Sequence, residues 1–485
     1  MSYKHRISTY EGATALSVPV TADSGLRVVV GTAPINMAKD PDKVTNTPIL
    51  VTSFQEAAEK LGYSDDFESF TLCEMMDASF RVFNVAPLVL INVLDPKKHV
   101  KDFSNTSIAV SQKTATIEDK GLLLSSLVVK SAAPGGATLV AGTDYVATLN
   151  SAGAVEITLL GTVNASGVTA LSVTGKQIDP TKVKKEDVLG GYDAQTGKDS
   201  GLEVIRTVYP KLGMVPGILL APKWSKEPTI AAALLAKTED LNGLFTCECY
   251  ADIDTATAKS YTALKKAKDD MGFQGAHGVL GWPLLKLGEK TYHFSTILAC
   301  TTVQCDLNHG NIPYKSPSNE PVKVAATVLS DGTEVFLDVP QAEVVNSYGI
   351  VTAINDGGWK SYGNNTAAYP GTTDPKDRWI ACRRMMSWYR NHFILTYRDK
   401  IDSPASYREI EALVNSENIF LNSLKASGVI AGGTISFNEE ENPTTEIMNG
   451  HIHFKTKIAF WTPAEFIEDQ IEFDPTLISS ALGGN

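Results

Sequence analysis

Nowhere in the 485 residues do about 18 apolar residues follow one another, so no membrane-spanning helix is expected. Basic residues are in deficit: 43 Lys and Arg stand against 55 Asp and Glu, a formal charge of −12. A general nucleic-acid binder needs a basic face, and that class is set aside. The first dozen residues contain no apolar stretch of the signal-peptide kind. With six cysteines in so long a chain, the expectation is reduced thiols in a cytoplasmic setting. The common catalytic signatures are missing too: no G-x-G-x-x-G, P-loop, G-x-S-x-G or H-E-x-x-H. Gly31 follows a strand-like run, but one glycine there marks a turn. Cys247 and Cys249 share a strand face, and Cys300 and Cys305 lie farther on. Neither pair has a second C-x-x-C or a histidine at finger spacing, so buried thiols are expected, and no cofactor or metal.

What is present reads as several units. Arg27–Gly31 is a short apolar strand run. A helix from Ser53 carries Glu56 three residues on, the capping-box spacing. A second helix and the apolar run Leu88–Val93 follow, in α/β order. From 101 to 182 the composition turns to Ser, Thr, Gly, Ala and Val, with two aromatics, Phe103 and Tyr145. Short alternating runs between Gly and Asn turns predict an all-β, sandwich-like insert. Strands and helices then alternate again to about 355. A helix over 374–391 carries Arg378, Arg383, Arg384 and Arg390, either as a solvated or inter-domain face or as a contact to an acidic partner. A strand is expected at 392–398, and a helix starts at Ser403-Pro404.

The C-terminal stretch has the clearest pattern. Ile452, Phe454, Ile458 and Phe460 alternate with His453, Lys455 and Lys457, the period of a half-buried strand. Ile467, Ile471 and Phe473 alternate with Glu468, Gln470, Glu472 and Asp474. A basic and an acidic face on consecutive strands suit antiparallel pairing, so a two-stranded sheet of 451–461 and 465–473 is expected. His451 and His453 share a face and are read as solvated or interface residues. The fold class is therefore α+β multidomain: an α/β core domain, an all-β insert, and an α+β C-terminal domain that ends in a strand-like tail. The expected divisions are a first segment at 1–20, α/β at 21–100, insert at 101–185, α/β at 186–355, a C-terminal domain at 356–474 and a tail at 475–485, to which the resemblance described next adds the roles of arms for the two end segments and of polymerisation for 356–474. The residues alone leave the first segment open between a free arm and an edge strand of the chain's own sheet.

Several stretches, in order, resemble contractile tail sheath proteins of myophages, R-type bacteriocins and related injection systems. They are Gly190-Gly-Tyr-Asp-Ala-Gln-Thr-Gly-Lys-Asp-Ser-Gly-Leu-Glu-Val204, Val215-Pro-Gly-Ile-Leu-Leu-Ala-Pro222, Ala251-Asp-Ile-Asp254, Asn311-Ile-Pro-Tyr-Lys-Ser-Pro-Ser-Asn319, Asn442-Pro443 with Gly450, and Trp461-Thr-Pro-Ala-Glu465. The resemblance, closest to phages of Gram-positive hosts, covers most of the chain outside the insert. It implies a structural, non-catalytic subunit that polymerises as stacked hexameric rings around an inner tube protein, with baseplate and terminator partners. Contraction would drive the tube through a target envelope. Neither nucleic acid nor membrane contact by the subunit is implied. Assembly would take place in the bacterial cytoplasm, and the product would be a virion or phage-tail-like particle.

The resemblance also implies inter-subunit arms containing Ile7, Tyr10, Leu16 and Val18 at one end and Leu477, Ile478 and Leu482 at the other. An accepting sheet would contain Ile452, Phe454, Ile458, Ile467, Ile471 and Phe473. Arg383, Arg384 and Lys425 are candidates for facing the tube. Two other classes stay open on the residues: a carbohydrate-active α/β enzyme with an accessory β domain, and an adhesin or receptor-binding module.

Overall fold

A computed structural model describes residues 23–132, 136–150, 153–161, 163, 167–404 and 406–482. Its centre is an eight-stranded sheet. The strands are β1 (Arg27–Gly31), β2 (Pro48–Val51), β3 (Leu88–Asn92), β4 (Ile218–Leu220), β5 (Glu248–Asp252), β6 (Gly278–Gly281), β7 (Ile350–Asn355) and β8 (Trp359–Tyr362). The spatial order is β8-β7-β6-β5-β4-β1-β3-β2. The six inner strands are parallel, and β2 and β8 close the edges antiparallel. Every residue of β1, β3, β5 and β6 is buried, as strands covered on both faces must be. Helix α1 (Phe294–Asn308) crosses this sheet and is buried along most of its length. Its close approach explains Gly281: a Cβ there would lie 2.4 Å from the Phe294 ring.

The Gly190–Val204 stretch is a turn built on two glycines. Gly190 and Gly201 both take positive φ, and a Cβ on Gly190 would fall 1.9 Å from the Ser200 carbonyl oxygen. Between them Gly191–Asp193 and Lys198–Ser200 form a small hairpin.

The insert is a pair of three-stranded antiparallel sheets. One holds Val100–Ala109, Ala170–Ile178 and Val128–Ser131; the other holds Thr114–Ile117, Val155–Leu159 and Tyr145–Leu149. Ile117, Val129, Tyr145, Ile157, Leu171 and Val173 fill a core separate from that of the large sheet.

The C-terminal unit contains helices α2 (Ile380–Tyr397) and α3 (Tyr407–Ala426) and strands β9 (Ile430–Phe437) and β10 (Phe454–Phe460). Met385, Trp388, Phe420, Leu421, Leu424 and Ile430 form its core. Three expectations are corrected here. Residues 392–397 continue α2 rather than forming a strand, because the His392 ring stacks on Phe420 at 4.0 Å and locks the helix to α3. α3 begins at Tyr407, capped by Ser406, whose side chain accepts from the Glu409 N–H. Residues 465–473 form no strand; β10 pairs with β9 instead, from Ile430↔Phe460 to Phe437↔Phe454.

A buried ion pair ties α2 to α1. Arg384 and Asp306 are each about 1% exposed, and Arg384 Nη1 donates to Asp306 Oδ1 at 2.8 Å. Ser24 joins them: its hydroxyl donates to Asp306 at 3.1 Å, and its carbonyl accepts from Arg384 at 3.3 Å. Removing one partner leaves the other charge buried alone. Arg384→Met is expected to cost about 3–5 kcal/mol, read as a lower urea midpoint with unchanged slope. Adding Asp306→Leu is expected to recover most of that loss.

Candidate assembly surface

The period-2 pattern of β10 is realised. Phe454, Thr456, Ile458 and Phe460 are half-buried toward α2 and α3, and Lys455, Lys457 and Ala459 are exposed. Phe454 packs near Phe393, and the Tyr389 hydroxyl donates to the Thr456 hydroxyl at 3.5 Å. Lys455 pairs with Glu441 at 2.8 Å. A two-stranded sheet has two outer edges, and here they differ. On β9 the Asn418 side chain takes the place of a further strand: its amide donates to the Ile435 carbonyl at 2.9 Å and its oxygen accepts from the Ile435 N–H at 3.0 Å. Asn442 makes the same bracket on His453, at 2.8 and 2.6 Å.

Main-chain groups in an antiparallel pair point alternately toward and away from the partner strand. Ile435 faces Asn418, so its opposite residue Thr456 points its N–H and C=O away from β9, as do Phe454 and Ile458. Among the described residues no group bonds these outward main-chain atoms. The outer edge of β10 is open.

The segment after β10 is held at its root and then leaves the surface. The Trp461 indole donates to the Gly428 carbonyl at 3.1 Å, and the Trp461 carbonyl accepts from the Cys382 thiol at 3.6 Å. Glu465 pairs with Arg378 at 3.0 Å. That guanidinium lies 3.9 Å from the Trp379 ring centre and 4.6 Å from that of Tyr369. This root lines a cleft of about 750 Å³ together with Tyr314, Asn346 and Tyr362. Beyond it Phe466, Ile467, Ile471 and Phe473 are 81–87% exposed. The last helix among the described residues is α4 (Thr476–Ala481), and Leu477, Ile478 and Leu482 are exposed. So many large apolar side chains in solvent along one segment mark an interaction site.

The structure brings Ile452, Phe454 and Ile458 together on β10 and its approach, and leaves Ile467, Ile471 and Phe473 off the sheet. Ile7, Tyr10, Leu16 and Val18 lie outside the described residues. Arg383 and Arg384 are corrected as tube-facing candidates: both are buried, Arg383 on Asp377 at 3.0 Å and Arg384 on Asp306. Lys425 is exposed near the end of α3. Sequence reasoning missed Asn418; it singled out Arg378, Asn442 and Glu465 but not the contacts they make, Arg378 with Glu465 and Asn442 with His453. The signal for Asn418 was present, since it is a polar residue beside Phe420 and Leu421 on a packed helix.

A second candidate is the crevice at the carboxyl ends of the parallel strands, where α/β enzymes bind ligands. It encloses about 420 Å³. Its buried polar groups bond one another. Glu74 accepts from the His293 N–H at 2.6 Å and faces His293 Nδ1 at 2.8 Å. Asp252 accepts from the Ser295 N–H at 2.8 Å and from the Ser225 hydroxyl at 3.2 Å. The Ser295 hydroxyl also donates to Asp252. No serine or cysteine among the described residues donates to His293, and no metal-holding cluster of His, Cys, Asp and Glu is found among them. Burial alone would lower the His293 pKa, but the charge and hydrogen bond of Glu74, with Asp252 beyond, raise it to about 9. Burial raises that of Asp252.

No protein-family model matches the chain. The fold is that of contractile-sheath subunits. It is similar over 98% of this chain to the helical sheath of the anti-feeding prophage in its contracted state (TM-score 0.59, 12% identity, 100% of that chain). It is likewise similar over 98% to the sheath complex of the extracellular contractile injection system PVC (TM-score 0.58, 13% identity, 99% of that chain). In sequence, the tail sheath protein of Burkholderia phage BcepMu is 26% identical over 100% of this chain and 99% of its own length. A putative prophage major tail sheath protein of Pseudomonas aeruginosa is 21% identical over 66% of this chain and 80% of its own. Phage and prophage homologues and sheath-fold neighbours together support a contractile tail sheath protein, a structural subunit of a virion or phage-tail-like particle.

Two expectations follow from these contacts. Asn418→Ala strands the buried N–H and C=O of Ile435, at a cost of about 1–3 kcal/mol, seen as a lower Tm. His293, raised above its ordinary 6.5 in the folded chain, adds stability that is full below pH 6.5 and is lost as pH rises through about 9. The loss, of order 3 kcal/mol, should make Tm fall across that window, and Glu74→Gln should flatten the fall.

Proposed function

We propose that this chain is the subunit of a contractile sheath, assembled in the bacterial cytoplasm as stacked hexameric rings around an inner tube. The sheath contracts to drive that tube through a target cell envelope. The observation that carries the reading is the C-terminal unit: an open strand edge on β10 beside a segment with Phe466, Ile467, Ile471 and Phe473 in solvent. Segments 1–20 and 475–485 serve as arms between copies, and main-chain hydrogen bonds along added strands give directional links. Subunits shift as bodies during contraction while these links hold them together. The tube, baseplate and terminator proteins are its partners. The subunit itself has no catalytic role; in the crevice, Ser295 and His293 each bond a carboxylate rather than each other. Among the described residues no helix is long and apolar enough to cross a membrane.

Electron microscopy of the purified protein tests this reading. Regular tubules are expected, and discrete particles at all concentrations would reject it. Deleting residues 466–485 is expected to leave a folded chain, because 466–478 are exposed throughout, and to abolish the tubules.

A further inference from the structure

The insert joins the large domain through two stretches of chain that meet at His99. The strand Val100–Ala109 starts directly after it. The strand Ala170–Ile178 leads back out, and there the Asp179 N–H donates to the His99 carbonyl at 2.7 Å. Leu123, Ile178 and Val183 belong to the large core at this root, while the rest of the insert fills a core of its own. Farther out, the turn at Gly153 rests on Met37: a Cβ on that glycine would lie 3.3 Å from the Met37 sulfur. The root therefore sets how the insert sits on the large domain.

His99 closes the root in its neutral form. It is 2% exposed. The Asp95 N–H donates to its Nδ1 at 2.9 Å, and the His99 N–H donates back to the Asp95 carbonyl at 2.8 Å. Nδ1 is thereby an acceptor, and the ring proton sits on Nε2, which faces Asp187 Oδ2 at 3.3 Å. A second proton can enter only at Nδ1, where it meets the Asp95 N–H. It would break a buried hydrogen bond and set two donors against each other. The charged groups around the ring are Asp95, Lys97 and Lys98 on its own turn, Asp179 and Lys182 on the returning stretch, Glu186 and Asp187 on the helix Lys185–Leu189, and Asp193 beyond it. Burial lowers the His99 pKa below its ordinary 6.5; Asp187 opposes that and Lys98 adds to it. A crevice of about 440 Å³, lined by Lys98, His99, Glu186, Asp187 and Asp193, gives solvent a way to the ring.

We propose that His99 is an acid-sensitive pin: on protonation it releases the turn 95–99, and the insert swings about 95–100 and 178–187 and leaves Met37. The closed root is fully stable above pH 6.5 and loses stability as pH falls from there toward the lowered value. The device does not depend on the sheath reading.

Distances between two nitroxide labels, measured by pulsed electron resonance on the full chain, test this. The labels go on Lys130→Cys in the insert and Lys266→Cys on the large domain, both exposed, and the native cysteines are all buried. Excess unlabelled protein keeps the signal within single chains. The two conditions are about pH 7.5, a unit above the ordinary histidine value, and about pH 4.5, two units below it. One narrow distance is expected at the higher pH, and a shifted or broadened one at the lower. His99→Asn keeps an acceptor for the Asp95 N–H but cannot titrate, and it should hold the narrow distance at both. His99→Phe has no acceptor and should already be broad at the higher pH. Should that variant fail to fold, the nitrogen-15 shift of Nδ1 in the unchanged ring should titrate together with the distance. A distance that stays narrow at the lower pH would overturn the proposal, as would equal broadening in His99→Asn or a ring that titrates while the insert stays put.

Discussion

A strand edge with unmade hydrogen bonds is the constraint on which the C-terminal half of this protein depends. A pair of strands cannot satisfy its own main chain, and a third partner must come from somewhere. On β9 the chain supplies one from within, through the Asn418 side chain. At the open end of the ladder Asn442 supplies another. On β10 the described residues supply none. The half-buried Phe454, Ile458 and Phe460 beneath that edge then make any added strand gain apolar burial as well as hydrogen bonds.

The rest of the molecule holds this edge in place. In the large parallel sheet, β1, β3, β5 and β6 are buried along their whole length. Its crevice is occupied by mutual bonds: Glu74 with His293, Asp252 with Ser295 and Ser225. α2 reaches from it into the C-terminal unit, with Ser387 donating to Glu248 of β5 at 2.7 Å and Asn391 bridging the Thr246 backbone at 3.0 and 2.7 Å. Satisfied buried polar contacts of this sort fix orientation more than they add stability.

Much of this was legible from residue order. The buried strands at 27–31, 88–92 and 218–220 announced themselves by continuous apolar runs, and the insert by its loss of aromatics. The alternation over 452–460 gave β10 and its inward face. The stretch 465–473 carries an equally good strand pattern but has no partner in its own chain. Periodicity reports what a segment can do, not which edge is within reach. The run 392–397 misled for a related reason: aromatic and β-branched residues suit a strand, and helix packing through His392 on Phe420 overrode them. Arg383 and Arg384 looked like a surface because charge usually is one; their carboxylate partners, Asp377 and Asp306, could not be paired with them before the fold was known.

The triad of Ser24, Asp306 and Arg384 has a mechanical consequence. Ser24 lies just before β1 and next to Asp23, whose carboxylate accepts from the Gly25 N–H. A pull on the chain at that point meets the Asp306–Arg384 pair before it meets the hydrogen bonds of β1. Tension is therefore delivered sideways, into the ends of two long helices, one against the large sheet and one shared with the C-terminal unit. A load applied at Ser24 would pass through Arg384 to the helix that packs against β10, without stretching the large sheet.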